Sequence, residues 1–184
     1  VTSVTALVLA ELATKAGFPD GVLNVVTGTG AAVGEALVNH PDVSKVSFTG
    51  STRTGQRIMA QAAASVKRVS LELGGKSAYI VLDDADPATA AIGAAFQIMA
   101  HAGQGCAITT RLLVPRARYD EAVEATAATM AALGAGDPQA AGTICGPLIS
   151  ARQRERVEGY LQLALDEGGT FATGGHVIDQ DGYW

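Results

Sequence analysis

Runs patterned for helix and runs patterned for strand take turns along this chain, and glycine or proline marks nearly every handover. Val4, Leu7, Val8 and Leu12 recur at helical spacing, and Ala16-Gly17-Phe18-Pro19 supplies a glycine stop with proline just beyond it. Pro19-Asp20-Gly21 is turn chemistry, and residues 22–26 (Val-Leu-Asn-Val-Val) are the short apolar run expected of a buried parallel strand. Gly28 and Gly30 open a predicted helix to Asn39, which His40-Pro41-Asp42 breaks. A strand is predicted over 43–48, a helix over 53–64, and strands over 66–73 and 77–82 with Gly74-Gly75 between them. Asp86 before Pro87 is N-cap chemistry for a helix running to about Ala102. A strand over 108–114 and helices over 119–133 and 151–167 complete the order. Such alternation predicts an α/β chain with largely parallel strands and right-handed crossovers. Gly74-Gly75 is the best candidate for a junction, dividing the chain into domains 1–73 and 74–184.

Charge narrows the partners. Thirteen basic and eighteen acidic residues give a net charge of -5, with no run of like charge and no basic stripe, so nucleic acid is not an expected partner. Acidic and basic residues such as Glu11 and Lys15 interrupt every apolar stretch before bilayer length, so no membrane association is expected. The opening segment lacks the basic region of a signal peptide and carries Glu11 inside its apolar run, which reads as helix. Two cysteines, Cys106 and Cys145, do not make a disulfide-stapled scaffold. His40, His101 and His176 share no metal-ligand spacing, so no metal site is predicted. A soluble, cytoplasmic protein is the expectation.

Four segments carry chemistry, each with a plainer reading beside it. Thr27-Gly28-Thr29-Gly30 with Gly34 sits where a strand should hand over to a helix, the context of a nucleotide-binding turn, although the spacing is GxGxxxG and a simple tight turn also fits. Phe48-Thr49-Gly50-Ser51-Thr52 puts hydroxyls and exposed N–H groups at a predicted helix start, suited to a pyrophosphate or to an ordinary N-cap by Ser51 or Thr52. Leu71-Glu72-Leu73-Gly74-Gly75-Lys76 sets one carboxylate between leucines at a strand end. Burial favours the protonated carboxyl and suits general-base work near neutral pH, whereas simple alternation would point Glu72 to solvent. Gly103-Gln104-Gly105-Cys106 places a thiol just after a helix, behind two glycines that admit a ligand to the backbone: a nucleophile, or an inert buried cysteine. Cys145 has no companion motif and is assigned to structure.

Ala16-Gly17-Phe18-Pro19, Phe48-Thr49-Gly50-Ser51-Thr52, Leu71-Glu72-Leu73-Gly74-Gly75-Lys76-Ser77, Gly103-Gln104-Gly105-Cys106 and Thr110-Arg111-Leu112-Leu113-Val114, in this order, resemble the aldehyde dehydrogenase superfamily over essentially the whole chain. The 34 positions from Glu72 to Cys106 match that family's spacing. The resemblance implies a parallel-sheet, Rossmann-like half domain (1–73, the later half of an NAD(P)-binding domain) followed by the start of an α/β catalytic domain (74–184). It implies that Cys106 is the nucleophile and Glu72 the base. NAD or NADP would be held by Gly30, Gly34, Thr49, Gly50, Ser51, Gly55 and Leu73. The implied activity is oxidation of a small-molecule aldehyde to a carboxylic acid through a thiohemiacetal and a thioester. Alternatives are a CoA-acylating aldehyde dehydrogenase, against which Glu72 argues, and a non-catalytic nucleotide-binding fragment. Met99, His101 and Ile108 stand where the family usually has an aromatic residue, Asn and a small residue, positions expected to tune the aldehyde accepted. With no initiating Met, the chain reads as the central piece of a parent enzyme that resemblance makes a homodimer or homotetramer. On that reading, the family's oxyanion-stabilising Asn and ribose-binding Lys and Glu lie upstream, and the isolated piece is expected to be inactive.

Overall fold

A computed structural model describes residues 2–178 and Gly182. The chain divides into two compact units, Val1–Leu73 and Gly74–Trp184.

In the first unit, helix α1 (Val4–Lys15) ends as its glycine stop requires. Gly17 adopts φ +86°, and the Gly17 and Phe18 N–H groups return to the Thr14 and Ala13 carbonyls. The strand predicted over 22–26 is not formed: these residues are irregular, with Val22, Leu23 and Val26 exposed. A parallel strand is stable only beside a partner ladder, and the two strands of this unit pair with each other and not with this segment. After it, Thr29 accepts the Ala32 N–H at the head of a π-helical turn, Gly30–Gly34, that runs directly into α2 (Glu35–Asn39). Strand β1 (Lys45–Gly50) starts two residues later than predicted. It lies parallel to β2 (Arg68–Leu73) in a register that sets Thr49 opposite Glu72 and Gly50 opposite Leu73. Helix α3 (Thr52–Ala63) joins them and packs on both strands, burying Gly55, Ile58 and Ala62, while Val38 of α2 is buried as well. The Lys67 ammonium ties the entry to β2 back to the entry to β1, donating to the His40 and Val43 carbonyls at 2.6 and 2.7 Å.

The second unit repeats the scheme. Strands β3 (Ser77–Ile80) and β4 (Thr109–Leu113) pair in parallel, connected through α4 (Pro87–Met99). Asp86 caps α4 as its sequence predicts, its carboxylate accepting the Thr89 N–H at 2.9 Å, with Pro87 in the first turn. Helix α5 (Tyr119–Ala132) packs along α4, and the contact is made of small residues, with Ala91, Ala94, Ala95 and Ala122 all buried. Alanine at such a contact lets two helix backbones approach closely. Helix α6 (Ala151–Asp166), capped by Ser150, buries no residue. The fold is α/β, with each unit built on one parallel strand pair and its crossover helix. Among the described residues, no helix is long and apolar enough to cross a membrane.

Candidate functional site

In the first unit, one cavity of about 430 Å³ has a lining that includes Gly30, Gly34, Glu35, Phe48, Thr54 and Arg57. A methyl group added to Gly30 or Gly34 would meet nothing within 4 Å, so packing does not explain these glycines, and their backbone is open to a ligand. Gly50 and Gly55 are fixed differently. A Cβ at Gly50 would lie 2.5 Å from the Phe48 ring, and one at Gly55 would lie 3.0 Å from a Leu73 methyl, so both glycines are places of close approach. Leu73 thereby sits opposite Gly50 in the ladder and against Gly55 on α3.

Ser51 caps α3: its hydroxyl accepts the Thr54 N–H at 3.3 Å and hydrogen-bonds the Thr54 hydroxyl at 2.9 Å. The plainer reading of this hydroxyl is therefore realised. It leaves the rest of the helix N-terminus, with its positive dipole end, facing the turn after β1.

Sequence reasoning missed a polar trio, Glu35, Arg57 and Gln61, of which Glu35 and Arg57 line this cavity. The Glu35 carboxylate accepts from the Gln61 amide at 2.5 Å and from Arg57 Nε at 2.9 Å. The Gln61 hydrogen bond is the largest cause that holds the Glu35 carboxyl below its usual range; desolvation opposes it, and the Arg57 guanidinium adds to the lowering. The only signal in the sequence is the i, i+4 spacing of Arg57 and Gln61, which puts both on one face of α3. Nothing local links them to Glu35.

Glu72 takes one of the two orientations its sequence left open. It is exposed, because the period of β2 turns Leu71 and Leu73 toward α3 and Glu72 to the opposite face. The solvent-facing alternative is the one observed.

In the second unit, α4 ends in a tight 3-10 turn, Ala100–Gly103, in which three successive residues have positive φ: His101 at 53°, Ala102 at 53° and Gly103 at 73°. Glycine accepts this region freely, but for His101 and Ala102 it costs about 1–2 kcal/mol each. Sequence reasoning anticipated the Gly103 stop and not the two residues before it, since neither His nor Ala signals a left-handed turn. Gln104 returns its side-chain amide to the His101 carbonyl at 3.2 Å. Gly105 follows in a position where a Cβ would lie 2.8 Å from an Ile108 methyl. Cys106 comes next in a turn, exposed and unpaired with any sulfur.

Cys145 is its opposite in every respect. It is 7% exposed, and its thiol donates to the Met99 carbonyl at 3.1 Å. Burial pushes that thiol up, against a smaller opposing effect of the Ala102 amide. Among the described residues, no three His, Cys, Asp or Glu side chains gather as metal ligands.

The structure thus collects Gly30, Gly34, Thr49, Gly50, Ser51, Gly55, Glu72 and Leu73 in the first unit and places Cys106 in the second. Two α/β units, one built around glycine turns and a helix N-terminus and the other presenting an exposed cysteine, define a class of nucleotide-binding-type folds joined to a thiol-bearing unit. The aldehyde dehydrogenase family model matches residues 1–184, and the chain belongs to that family. It is 44% identical over 184 residues to aldehyde dehydrogenase family 2 member C4 of Arabidopsis thaliana, covering 100% of this chain and 37% of that protein. Among solved structures, it is similar to an NAD+ complex of aldehyde dehydrogenase from Bacillus cereus, with a TM-score of 0.96 and 44% identity over 100% of this chain and 37% of the other. It is also similar to a variant of aldehyde dehydrogenase C from Pseudomonas syringae in complex with NAD+ and octanal, with a TM-score of 0.93 and 39% identity over 97% of this chain and 37% of the other. The chain spans about 37% of the length of the relatives it matches.

Proposed function

We propose that this chain carries the catalytic cysteine, the catalytic glutamate and part of the cofactor site of an NAD(P)+-dependent aldehyde dehydrogenase that oxidises an aldehyde to a carboxylic acid. The observation that carries the reading is the contrast between the two cysteines: Cys106 is exposed in a turn flanked by glycine, whereas Cys145 is buried and hydrogen-bonded. A nucleophile must meet its substrate, and only Cys106 offers that access.

The cavity of the first unit fits the adenosine and phosphate portion of a dinucleotide. Gly30 and Gly34 offer open backbone, Thr49, Gly50 and Ser51 form the turn at the α3 N-terminus, and Gly55 with Leu73 fixes how closely α3 lies on β2. The bound nicotinamide supplies the acceptor for the hydride that leaves the substrate carbon.

Cys106 Sγ attacks the aldehyde carbonyl, forming the C–S bond of a thiohemiacetal while the carbonyl π electrons move to oxygen. The Cys106 N–H would donate to that oxyanion. Loss of hydride leaves a thioester on Sγ. Glu72 then takes a proton from water, the hydroxide adds to the acyl carbon, and the C–S bond breaks to return the thiolate and release the acid. An exposed Glu72 suits this step in one respect, since water reaches it directly.

Rapid-mixing kinetics on the whole enzyme tests the division of labour. Cys106→Ala should eliminate NADH formation. Glu72→Gln should keep the first burst of NADH and slow later turnovers by about a hundredfold or more, the range typical of a lost general base. A Glu72→Gln enzyme without the burst contradicts the water-activating role.

A further inference from the structure

We propose that Gln97 and Cys145 are positioning residues that clamp the two ends of the 100–108 segment and so hold Cys106 at its turn. The inference rests on reading Cys106 as the nucleophile. Two hydrogen-bonded contacts carry it, one at each end of the segment.

At the leading end, α4 stops at Met99 and leaves carbonyl groups without partners inside the helix. The Cys145 thiol supplies the donor for the Met99 carbonyl at 3.1 Å, and the Ala102 amide lies beside the same sulfur. One buried residue therefore meets both Met99, just before the turn, and Ala102, inside the run in which His101, Ala102 and Gly103 are left-handed. Cys145 is itself held, since it forms a parallel bridge with Ala135 and its carbonyl accepts the Gly136 N–H at 3.0 Å. A backbone in this conformation persists only where its surroundings over-determine it, and Cys145 is part of that determination.

At the trailing end, Gln97 reaches from the last turn of α4 to the start of β4. Its side-chain oxygen accepts both the Thr109 N–H, at 3.4 Å, and the Thr109 hydroxyl. The amide oxygen of Gln97 thus fixes where the chain re-enters the sheet three residues after Cys106. Between the two contacts, Gly105 packs against Ile108, which tightens the turn around the thiol from within.

The test pairs a disruptive with a conservative change at each site. Cys145→Ala and Gln97→Leu remove the donor and the acceptor, whereas Cys145→Ser keeps a donor and Gln97→Glu keeps an acceptor oxygen. Amide hydrogen exchange on the intact chain, read by mass spectrometry, reports on residues 100–108 against α5 as an internal reference. Cys145→Ala and Gln97→Leu should each speed exchange in 100–108 by about tenfold or more, with α5 unchanged and Cys145→Ser and Gln97→Glu near the native rate. Native exchange in 100–108 for both disruptive variants overturns the proposal, as does equal acceleration in α5 or failure of the conservative variants to rescue. Exchange does not require Cys106 to react, so this outcome is separate from the test of Cys106 as nucleophile.

Discussion

Cys106 and Cys145 have the same side chain and opposite surroundings, and the difference is made by a few atoms. Cys145 sits among buried groups with the Met99 carbonyl accepting its proton, a setting that keeps it a thiol and removes it from solvent. Cys106 follows the left-handed Gly103 and the close-packed Gly105 and stands exposed. Brief treatment of the native chain with iodoacetamide should therefore add one carbamidomethyl group, on the peptide containing Cys106, and denaturation should reveal the second on Cys145. Labelling of Cys145 at the same rate as Cys106 in the native chain contradicts the burial argument. The flanking glycines made Cys106 legible in the sequence. The left-handed His101 and Ala102 were not: the sulfur beside Ala102 comes from Cys145, more than forty residues away, and no local pattern encodes such a contact.

The elements were legible where local chemistry decides them. Asp86 with Pro87, Ser150 before α6, Ser51 before α3 and Gly17 after α1 each begin or end a helix where their side chain or φ requires. Residues 22–26 show the limit. Their composition is that of a strand, but a strand is a pair property, and no ladder in the described chain accepts them. Glu72 lies on the legible side of that limit: simple alternation along β2 points it to solvent, opposite Leu71 and Leu73, as observed.

The caps make a pH prediction. Hydrogen bonds from the Thr89 hydroxyl and N–H, and then the nearby Arg118 charge, hold the Asp86 carboxyl below its usual value, against some desolvation. Because the folded carboxyl is the stronger acid, its contribution is complete above the ordinary carboxylate range and is lost as pH falls through the lowered folded value. The start of α4 should loosen in that acid window, and Asp86→Asn should remove this part of the pH dependence, as followed by thermal denaturation between pH 2 and pH 6 (about two units either side of an ordinary carboxyl). An unchanged pH profile in Asp86→Asn contradicts the cap as the source. At α3, Ser51→Ala should cost about 1 kcal/mol of stability, again by thermal denaturation.

At the scale of the molecule, two units of like construction divide the chemistry. The first sets open glycine backbone, Thr54 of the first turn of α3 and the ion pair of Glu35 with Arg57 around one cavity, and the second supplies an exposed thiol on a constrained turn. The alternation of helix and strand patterns made the α/β class and the parallel pairing legible from the sequence. Contacts between residues far apart in sequence, such as Glu35 with Gln61 and Cys145 with Met99, needed coordinates.

The proposed reaction leaves a covalent trace. The most direct measurement is acid quenching of the whole enzyme within its first turnover with an aldehyde and NAD+, followed by peptide mass spectrometry. A mass increase equal to the acyl group is expected on the peptide that contains Cys106, with Cys145 unmodified, and the adduct should accumulate in Glu72→Gln. NADH formation without any acyl group on Cys106, or with the adduct on another residue, would contradict it.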